Sequence, residues 1–170
     1  TDIPARSRPV ETEIAYFAGG GFWGVEYQLE RGVGVIDVSS GFMQGHLEDP
    51  TYQQTVRGDT GHAETVRVVF DPNRISYRRL VEACFVLHDP TQLNRQGPDI
   101  GPEYRSGIWY ADDEQAAVAQ SVKRELAASG DYSRPIVTVI EKAKTFYEAE
   151  DYHQDFIVRT GRPCHVKDPW

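Results

Sequence analysis

The sequence has 170 residues and a formal net charge of −8, because 26 acidic side chains outnumber 18 basic ones. An acidic chain without a basic run is not expected to bind nucleic acid or an anionic membrane surface. No apolar run approaches the roughly 20 residues that a transmembrane helix needs. The composition, 39% hydrophobic, predicts a soluble globular protein.

Residues 1–12 form a polar N-terminal arm without the apolar core of a secretory signal. We expect a single catalytic-type domain over residues 13–160 and an irregular C-terminal tail over residues 161–170. Only two cysteines occur, Cys84 and Cys164, which is too few for a disulfide scaffold and typical of a reducing compartment. We therefore expect a cytoplasmic protein, and we expect it to be a monomer.

Hydrophobic periodicity predicts alternating strands and helices along the chain. In chain order these are a strand at 13–18, a helix at 22–31, strands at 33–43 and 63–70, a helix at 77–88 capped by Ser76, a strand at 106–110, a helix from 112 to about 129, a strand at 136–140 and a helix at 148–160. Long loops are predicted at 44–61 and 89–104. Strands that follow one another without a helix between them favour antiparallel pairing. We predict the α+β class: a two-layer sandwich with a ferredoxin-like core and a mixed or antiparallel sheet.

A glycine-rich turn joins the first strand to the first helix, in the stretch Phe17-Ala18-Gly19-Gly20-Gly21-Phe22-Trp23-Gly24-Val25-Glu26. Glycines allow a close approach of the backbone. A helix N-terminus favours an anion or a thiolate, and Phe22 and Trp23 could supply an apolar wall beside it. A plain tight turn is the alternative, since the pattern is not a dinucleotide-binding G-x-G-x-x-G.

Two polar, glycine-rich loops each place a tyrosine close to a carboxylate in the sequence. The first loop contains Tyr52 and leads to Glu64, and the second contains Asp99 and Tyr104. A carboxyl group among aromatic rings is desolvated, which raises its pKa and lets it act as an acid near neutral pH. Glu64 is the better candidate because it begins an apolar strand. The alternative for both groups is a solvated carboxylate at a strand end.

The histidines and cysteines favour redox chemistry over metal binding. The five histidines lack the spacing of a zinc site, and His153 is expected to make a structural helix contact. Cys84 lies on the apolar stripe of its helix and is expected to be buried and inert. Cys164, next to His165 in the tail, is a candidate redox thiol. A thiol–disulfide protein that pairs the two cysteines is a competing hypothesis, but it requires Cys84 to leave its stripe.

The glycine-rich turn resembles the G-C-F-W-G-x-E signature of the class A peptide methionine sulfoxide reductases. Further segments resemble the same family in the same order: Asp49-Pro50-Thr51-Tyr52, Gly58-Asp59-Thr60-Gly61-His62-Ala63-Glu64-Thr65-Val66, Phe70-Asp71-Pro72, His88-Asp89-Pro90-Thr91, Gln96-Gly97-Pro98-Asp99, Tyr104-Arg105-Ser106 and Tyr152-His153-Gln154-Asp155. The resemblance runs from about residue 13 to about residue 165. Each motif alone is weak, whereas the ordered set is specific.

The resemblance implies an oxidoreductase that reduces methionine S-sulfoxide, free or in proteins, and so repairs oxidative damage. It assigns Glu64 as the proton donor to the sulfoxide oxygen. Hydroxyl groups matching Tyr52 and Tyr104 would bind that oxygen, and Asp99 would belong to the same pocket.

The family resemblance also implies how the methyl group is held and how the enzyme is recycled. Phe22 and Trp23 match the aromatic walls around the methyl group. Cys164 matches a position where many members carry a resolving cysteine, which forms a disulfide that thioredoxin or another dithiol reduces. No bound cofactor and no metal are implied.

The sequence departs from the family where the chemistry starts. The catalytic cysteine of the family falls at position 21, which is Gly21 here. Without a nucleophile the chain as written is expected to bind methionine sulfoxide without turnover. Three accounts stay open: a variant altered to trap substrate, a natural protein that only binds the sulfoxide, or an unusual residue at this position. The intact supporting residues favour an altered or mis-transcribed enzyme.

Overall fold

Strands with alternating apolar residues build the centre of the fold. The computed structural model describes residues 11–162, 164 and 166–170, so the predicted arm lies outside the described residues except for its last two. The strands are β1 (Glu13–Gly19), β2 (Val35–Met43), β3 (Ala63–Phe70), β4 (Arg95–Gln96), β5 (Asp99–Ile100), β6 (Ser106–Tyr110), β7 (Val139–Lys142) and β8 (Tyr147–Glu148). The helices are α1 (Phe22–Glu30), α2 (Tyr52–Thr55), α3 (Tyr77–Leu87), α4 (Asp113–Ala128) and α5 (Phe156–Thr160).

Six of these strands form one sheet in the order β7-β6-β1-β3-β2-β8, and β4 pairs with β5 in a separate hairpin. All neighbours in the six-stranded sheet are antiparallel except β6 and β7, which are parallel. The central strand β1 places Phe17 opposite Val66 on one side and Ile108 on the other. The order β6-β1-β3-β2 within the β-α-β-β-α-β chain path is the ferredoxin-like arrangement. The predicted fold class is confirmed.

The sheet buries its two faces differently. On one face Phe17 packs with apolar side chains of α1, α3 and α4, among them Leu29, Leu80 and Val122. On the other face a smaller cluster forms around Met43 and Trp109. Successive residues of a strand point to opposite faces, so β1 supplies both clusters. The helices therefore lie on one side and give the two-layer architecture.

Three helix starts carry side-chain caps, and the sequence predicts the one at Ser76. Ser76 accepts a hydrogen bond from the Arg79 amide, and Asp112 accepts one from the Gln115 amide. Thr51 and Gln54 form a capping box at α2, a helix inside the predicted loop 44–61. Gly21 before α1 has no capping side chain. The amide groups at the start of α1 are therefore free to meet other partners.

The predicted boundaries are wrong at the C-terminal end of the domain. The strand predicted at 136–140 is β7, shifted towards the C-terminus, because it pairs in parallel with β6 after the α4 crossover. The helix predicted at 148–160 is only α5, preceded by β8 and a 3₁₀ turn at Asp151–His153. The backbone of Asp155 is left-handed, with φ of 53°, and this conformation interrupts a helix.

The predicted loop 89–104 also contains regular structure, namely the hairpin of β4 and β5 and a 3₁₀ turn at Pro102–Tyr104. These elements carry Asp99 and Tyr104. Among the described residues, no helix combines the length and the apolar character needed to cross a membrane.

Candidate active site

Position 21 is an opening at the start of α1. Gly20 before it has a positive φ of 93°, which favours glycine. Gly21 itself has φ of −61° and ψ of 131°, which any L-residue adopts. A Cβ atom built on Gly21 would meet only the Asp99 Oδ2, at 3.6 Å, within 4 Å among the described residues beyond its chain neighbours. The backbone therefore accommodates a side chain here without strain.

Glu64 lies at the beginning of β3, directly behind this helix start. Its Oε1 accepts a hydrogen bond from the Phe22 amide at 3.1 Å, while its Oε2 is buried without a partner among the described residues. The side chain is 3% exposed. Burial is the main cause that raises the pKa of Glu64 to about 8. The charges of Asp99 and Glu103 raise this pKa further, whereas the hydrogen bond from the Phe22 amide lowers it. The carboxyl group is thus largely protonated at neutral pH.

Tyr52 and Tyr104 keep their protons in the same electrostatic environment. Burial, with the neighbouring charges of Glu64 and Asp99, raises the pKa of Tyr52 to about 12. The same causes raise the pKa of Tyr104 above its ordinary value. The two hydroxyl groups therefore remain hydrogen-bond donors at any physiological pH. Tyr52 is fixed at the first turn of α2, where its amide donates to the Glu150 Oε1 at 3.1 Å.

Aromatic rings pack around the first two residues of α1. The centroid of the Phe22 ring lies 6.2 Å from that of Tyr52, and the Trp23 ring lies 6.1 Å from the same tyrosine. Trp23 stacks on Phe156 of α5 with the centroids 4.0 Å apart. Phe22 is buried and Trp23 is half-buried. Trp23 therefore presents part of an indole face beside position 21.

His153 orients Trp23, although the sequence predicts only a structural helix contact for it. The indole Nε1 donates to the His153 Nδ1 at 3.0 Å. The proton of this fully buried imidazole is consequently on Nε2, which faces the Glu150 Oε2 at 3.5 Å. Burial lowers the pKa of His153, so the ring is neutral. Glu150 thus connects the backbone of Tyr52 to the imidazole that holds Trp23.

A cavity of about 440 Å³ opens beside the helix start. Gly21, Trp23, Asp99 and Cys164 line it, together with residues of the β4–β5 hairpin and α5. Glu64, Tyr52 and Tyr104 do not belong to its lining. Glu64 and Tyr52 instead contact Phe22, the next residue in the chain. The structure therefore brings the predicted residues together around positions 21 and 22, from two sides.

The two cysteines differ as the sequence predicts. Cys84 is 1% exposed, and burial raises the pKa of its thiol to about 12, so its predicted burial is confirmed. The Cys164 Sγ is partly exposed and lies 3.9 Å from the Gly24 carbonyl oxygen. A Cβ atom built on Gly24 would be 3.5 Å from this sulfur. His165, which follows Cys164 in the sequence, lies outside the described residues.

Sequence reasoning missed three residues of this site: His153, Glu150 and Glu103. Glu103 is buried, with its Oε1 unpartnered among the described residues, and burial raises its pKa. Its charge acts on Glu64 and on both tyrosines. The segment Tyr152–Asp155, noted for its resemblance to the family, was the available signal for His153. Among the described residues, the group of carboxylates that could hold a metal ion is Glu26, Glu30 and Asp155, outside this site.

Comparison with known proteins agrees with this geometry. The profile of the family described as peptide methionine sulfoxide reductase matches residues 13–168. A peptide methionine sulfoxide reductase MsrA from Methanoculleus marisnigri is 50% identical over 149 residues, covering 88% of this chain and 91% of that protein.

Solved structures show the same fold. Reduced Mxr1 from Saccharomyces cerevisiae superposes with a TM-score of 0.85 at 32% identity, over 93% of this chain and 92% of Mxr1. Mxr1 in complex with Trx2 superposes with a TM-score of 0.61 at 26% identity, over 88% of this chain and 87% of Mxr1. With the profile match spanning residues 13–168, the chain belongs to the peptide methionine sulfoxide reductase family.

Proposed function

We propose that this chain is the scaffold of a class A methionine sulfoxide reductase, which reduces methionine S-sulfoxide, free or in proteins, once a thiol stands at position 21. The observation that carries the proposal is the opening at Gly21. Its backbone suits any L-residue, and among the described residues beyond its chain neighbours only Asp99 borders the place of a Cβ atom. Gly21 takes the place of the family's cysteine, so the chain as written binds the sulfoxide without turnover.

The residues around Phe22 provide the groups that bind a sulfoxide. Glu64 is protonated at neutral pH and has one oxygen without a partner among the described residues, so it donates to the sulfoxide oxygen. Tyr52 and Tyr104 add hydroxyl donors. Phe22 and Trp23 contact the methyl group. Fixing both the oxygen and the methyl group around sulfur selects one epimer.

With a thiol at position 21, the reaction is a two-electron reduction. The thiolate attacks the sulfoxide sulfur, Glu64 gives its proton to the oxygen, and methionine leaves as the thiol is oxidised to a sulfenic acid. Cys164 then attacks the sulfenic sulfur. A disulfide forms and the oxygen leaves as water. A dithiol reduces this disulfide by thiol–disulfide exchange.

The variant Gly21→Cys tests the assignment. It is expected to convert methionine S-sulfoxide to methionine with dithiothreitol as reductant, whereas the chain as written does not. Gly21→Ser is the matched control, because it adds a side chain of similar size without the sulfur. A folded Gly21→Cys protein that produced no methionine would show that position 21 is not the attacking position.

A second candidate is a protein that reads methionine sulfoxide without reducing it. The observation that favours it is the combination of an intact set of binding groups with Gly21. Calorimetry with peptides that contain the S- or the R-sulfoxide tests it on the chain as written. Preference for the S epimer is expected. Equal binding of both epimers, or no binding, would exclude this function.

We further propose thioredoxin as the reductant, with the protein acting as a monomer in the cytoplasm. The structure of Mxr1 in complex with Trx2 supports thioredoxin as the reductant, by analogy within the family. The free thiols of Cys84 and Cys164 suit a reducing compartment. Turnover of Gly21→Cys coupled to thioredoxin, thioredoxin reductase and NADPH is the test. The variant Cys164→Ser is expected to lose this turnover.

A further inference from the structure

The end of the chain lies along helix α1. We call residues 164 and 166–170 the C-terminal strap. Its contacts on α1 and just beyond it fall at Gly24, Gln28 and Gly32, which are four residues apart and so share one face of a helix. Cys164 and Val166 lie at Gly24, and Trp170 lies at Gly32. The strap therefore runs parallel to the axis of α1.

At the N-terminal end of the strap, the contact with α1 surrounds Cys164. The Gln28 Nε2 donates to the Val166 carbonyl oxygen at 3.1 Å and lies 3.8 Å from the Cys164 Sγ. The side chain of Val166 packs against Gly24 so closely that a Cβ atom at this position would clash with it. Gln28 is buried. One glutamine thus holds both the strap backbone and the sulfur.

The second half of the contact is an anchor at Trp170. The indole Nε1 donates to the Gln28 carbonyl oxygen at 2.6 Å. The guanidinium group of Arg79, from α3, lies over the indole ring at 5.0 Å and donates to the Pro169 carbonyl oxygen at 2.8 Å. A Cβ atom built on Gly32 would be 2.6 Å from the ring. The tryptophan is therefore fixed by a hydrogen bond, a cation–π contact and close packing.

This arrangement decides where the Cys164 sulfur lies. Gly24, whose carbonyl oxygen is 3.9 Å from the sulfur, follows Gly21 by one helical turn. Gly21 and Cys164 also line the same cavity. A reacting group that is held in place reacts far faster than one on a free chain. Docking of the strap thus sets the local concentration of the Cys164 thiol at position 21.

From these contacts we infer that Trp170 and Gln28 are positioning residues for the resolving step. They hold Cys164 beside the cavity, and they take no part in the attack on the sulfoxide. The inference rests on the proposed function, because Cys164 has a partner only when a thiol is present at position 21. Loss of the anchor is expected to slow disulfide formation and to leave methionine release unchanged.

Docking is tested first without any catalysis, on the chain as written. The rate at which iodoacetamide modifies Cys164 is measured by peptide mapping, with buried Cys84 as the internal reference. Trp170→Ala is expected to shift the docking equilibrium about 5- to 30-fold towards the open state, as loss of one hydrogen bond and one packed ring would do. The modification rate should rise accordingly.

Two further variants grade this result. Trp170→Phe keeps a ring over Gly32 but loses the donated hydrogen bond. Its rate of Cys164 modification should therefore lie between those of the unaltered chain and Trp170→Ala. Asp168→Asn removes the exposed ion pair to Arg31, at 3.5 Å, but keeps the Oδ1 that accepts from the Trp170 amide at 2.9 Å, so it should behave like the unaltered chain. Equal rates in all four proteins would overturn the anchor.

The resolving step is then measured in the Gly21→Cys background, in a single turnover without reductant. With Trp170→Ala, methionine should appear at the unaltered rate, while the disulfide to Cys164 should form more slowly; Trp170→Phe should partly restore it. Equal disulfide rates, or an equal slowing of both steps, would overturn the inference. If Gly21→Cys released no methionine, the proposed function would fail, whereas the alkylation rates would still decide whether Trp170 anchors the strap.

Discussion

The carboxyl group of Glu64 combines burial, one donated hydrogen bond and one unpartnered oxygen. Its pKa is about 8 in the folded protein against an ordinary 4.5. The protonated form is therefore present below pH 8 and is lost as the pH rises through this value. If Glu64 supplies the proton to the sulfoxide oxygen, the rate of the Gly21→Cys enzyme should fall on the basic side of about pH 8.

Glu64→Gln in the Gly21→Cys background is expected to lower the single-turnover rate by ~10²–10⁴-fold, since a general acid is lost. It should also remove the basic limb of the pH profile. The matched control is Glu26→Gln, which changes a second buried carboxyl group that lies outside this site. Equal loss in both variants, or no loss in Glu64→Gln, would show that Glu64 is not the proton donor.

His153 acts on the site through Trp23. The variant His153→Ala removes the acceptor of the indole proton and the ring that packs beside Tyr52 at 4.4 Å. We expect weaker binding of the S-sulfoxide and a smaller preference over the R epimer, measured by calorimetry. His46→Ala, at an exposed histidine outside the site, is the control and should retain the preference. An unchanged preference in His153→Ala would contradict this role.

At the scale of elements, α1 and the start of α5 meet through three carboxyl groups. Glu26, Glu30 and Asp155 place oxygens within 4.8 Å of one another. Glu26 also accepts from the Ser40 hydroxyl at 2.7 Å. Burial and the neighbouring carboxylates, including Asp37, raise the pKa of Glu30 to about 9, and burial raises that of Glu26 to about 7. The contact is therefore favourable while these groups keep protons.

This cluster predicts how stability depends on pH. Between the ordinary pKa of 4.5 and the raised values near 7 and 9, the folded chain binds more protons than the unfolded chain, so stability decreases as the pH rises. Glu30→Gln is expected to raise the melting temperature more at pH 9 than at pH 5. Exposed Glu48→Gln should shift it little at either pH. A shift that is the same at both pH values would contradict the linkage.

Helix α3 offers a matched pair for the hydrophobic core. Leu80 is 0% exposed and Val86, on the same helix, is 46% exposed. Leu80→Ala is expected to lower the free energy of unfolding by about 2–5 kcal/mol, because a cavity remains in the core. Val86→Ala should cost about 0.5 kcal/mol or less. Urea titration of both variants measures the difference, and similar losses would contradict the packing described for α3.

At the scale of the whole molecule, the sequence predicts elements whose signals are local. Alternation located β3, and the capping residue Ser76 located the start of α3. The start of β7 depends on β6, its partner across the α4 crossover. The helix predicted at 148–160 fails because Gln154 bonds the backbone of Ser40, 114 residues away. Such partners cannot be identified from periodicity.

The site follows the same rule. The ordered motifs identified Glu64, Tyr52, Tyr104 and Trp23, which the fold brings around the start of α1. His153 was not assigned to the site, because its bond to Trp23 spans 130 residues and its segment has no pattern of its own beyond the resemblance. Glu103 was missed because its influence is electrostatic and depends on burial. The roles of all these residues stay predictions until the variants are measured.

The two outer strands of the sheet are short: β7 has 4 residues and β8 has 2. Short edge strands with charged side chains resist pairing with another chain. β8 shields Gly41 and Phe42 of β2, which has 9 residues and a buried second half. When Tyr147 and Glu148 detach, β2 becomes an open edge that a second copy can extend. The aggregation of this protein under stress should therefore begin at β2.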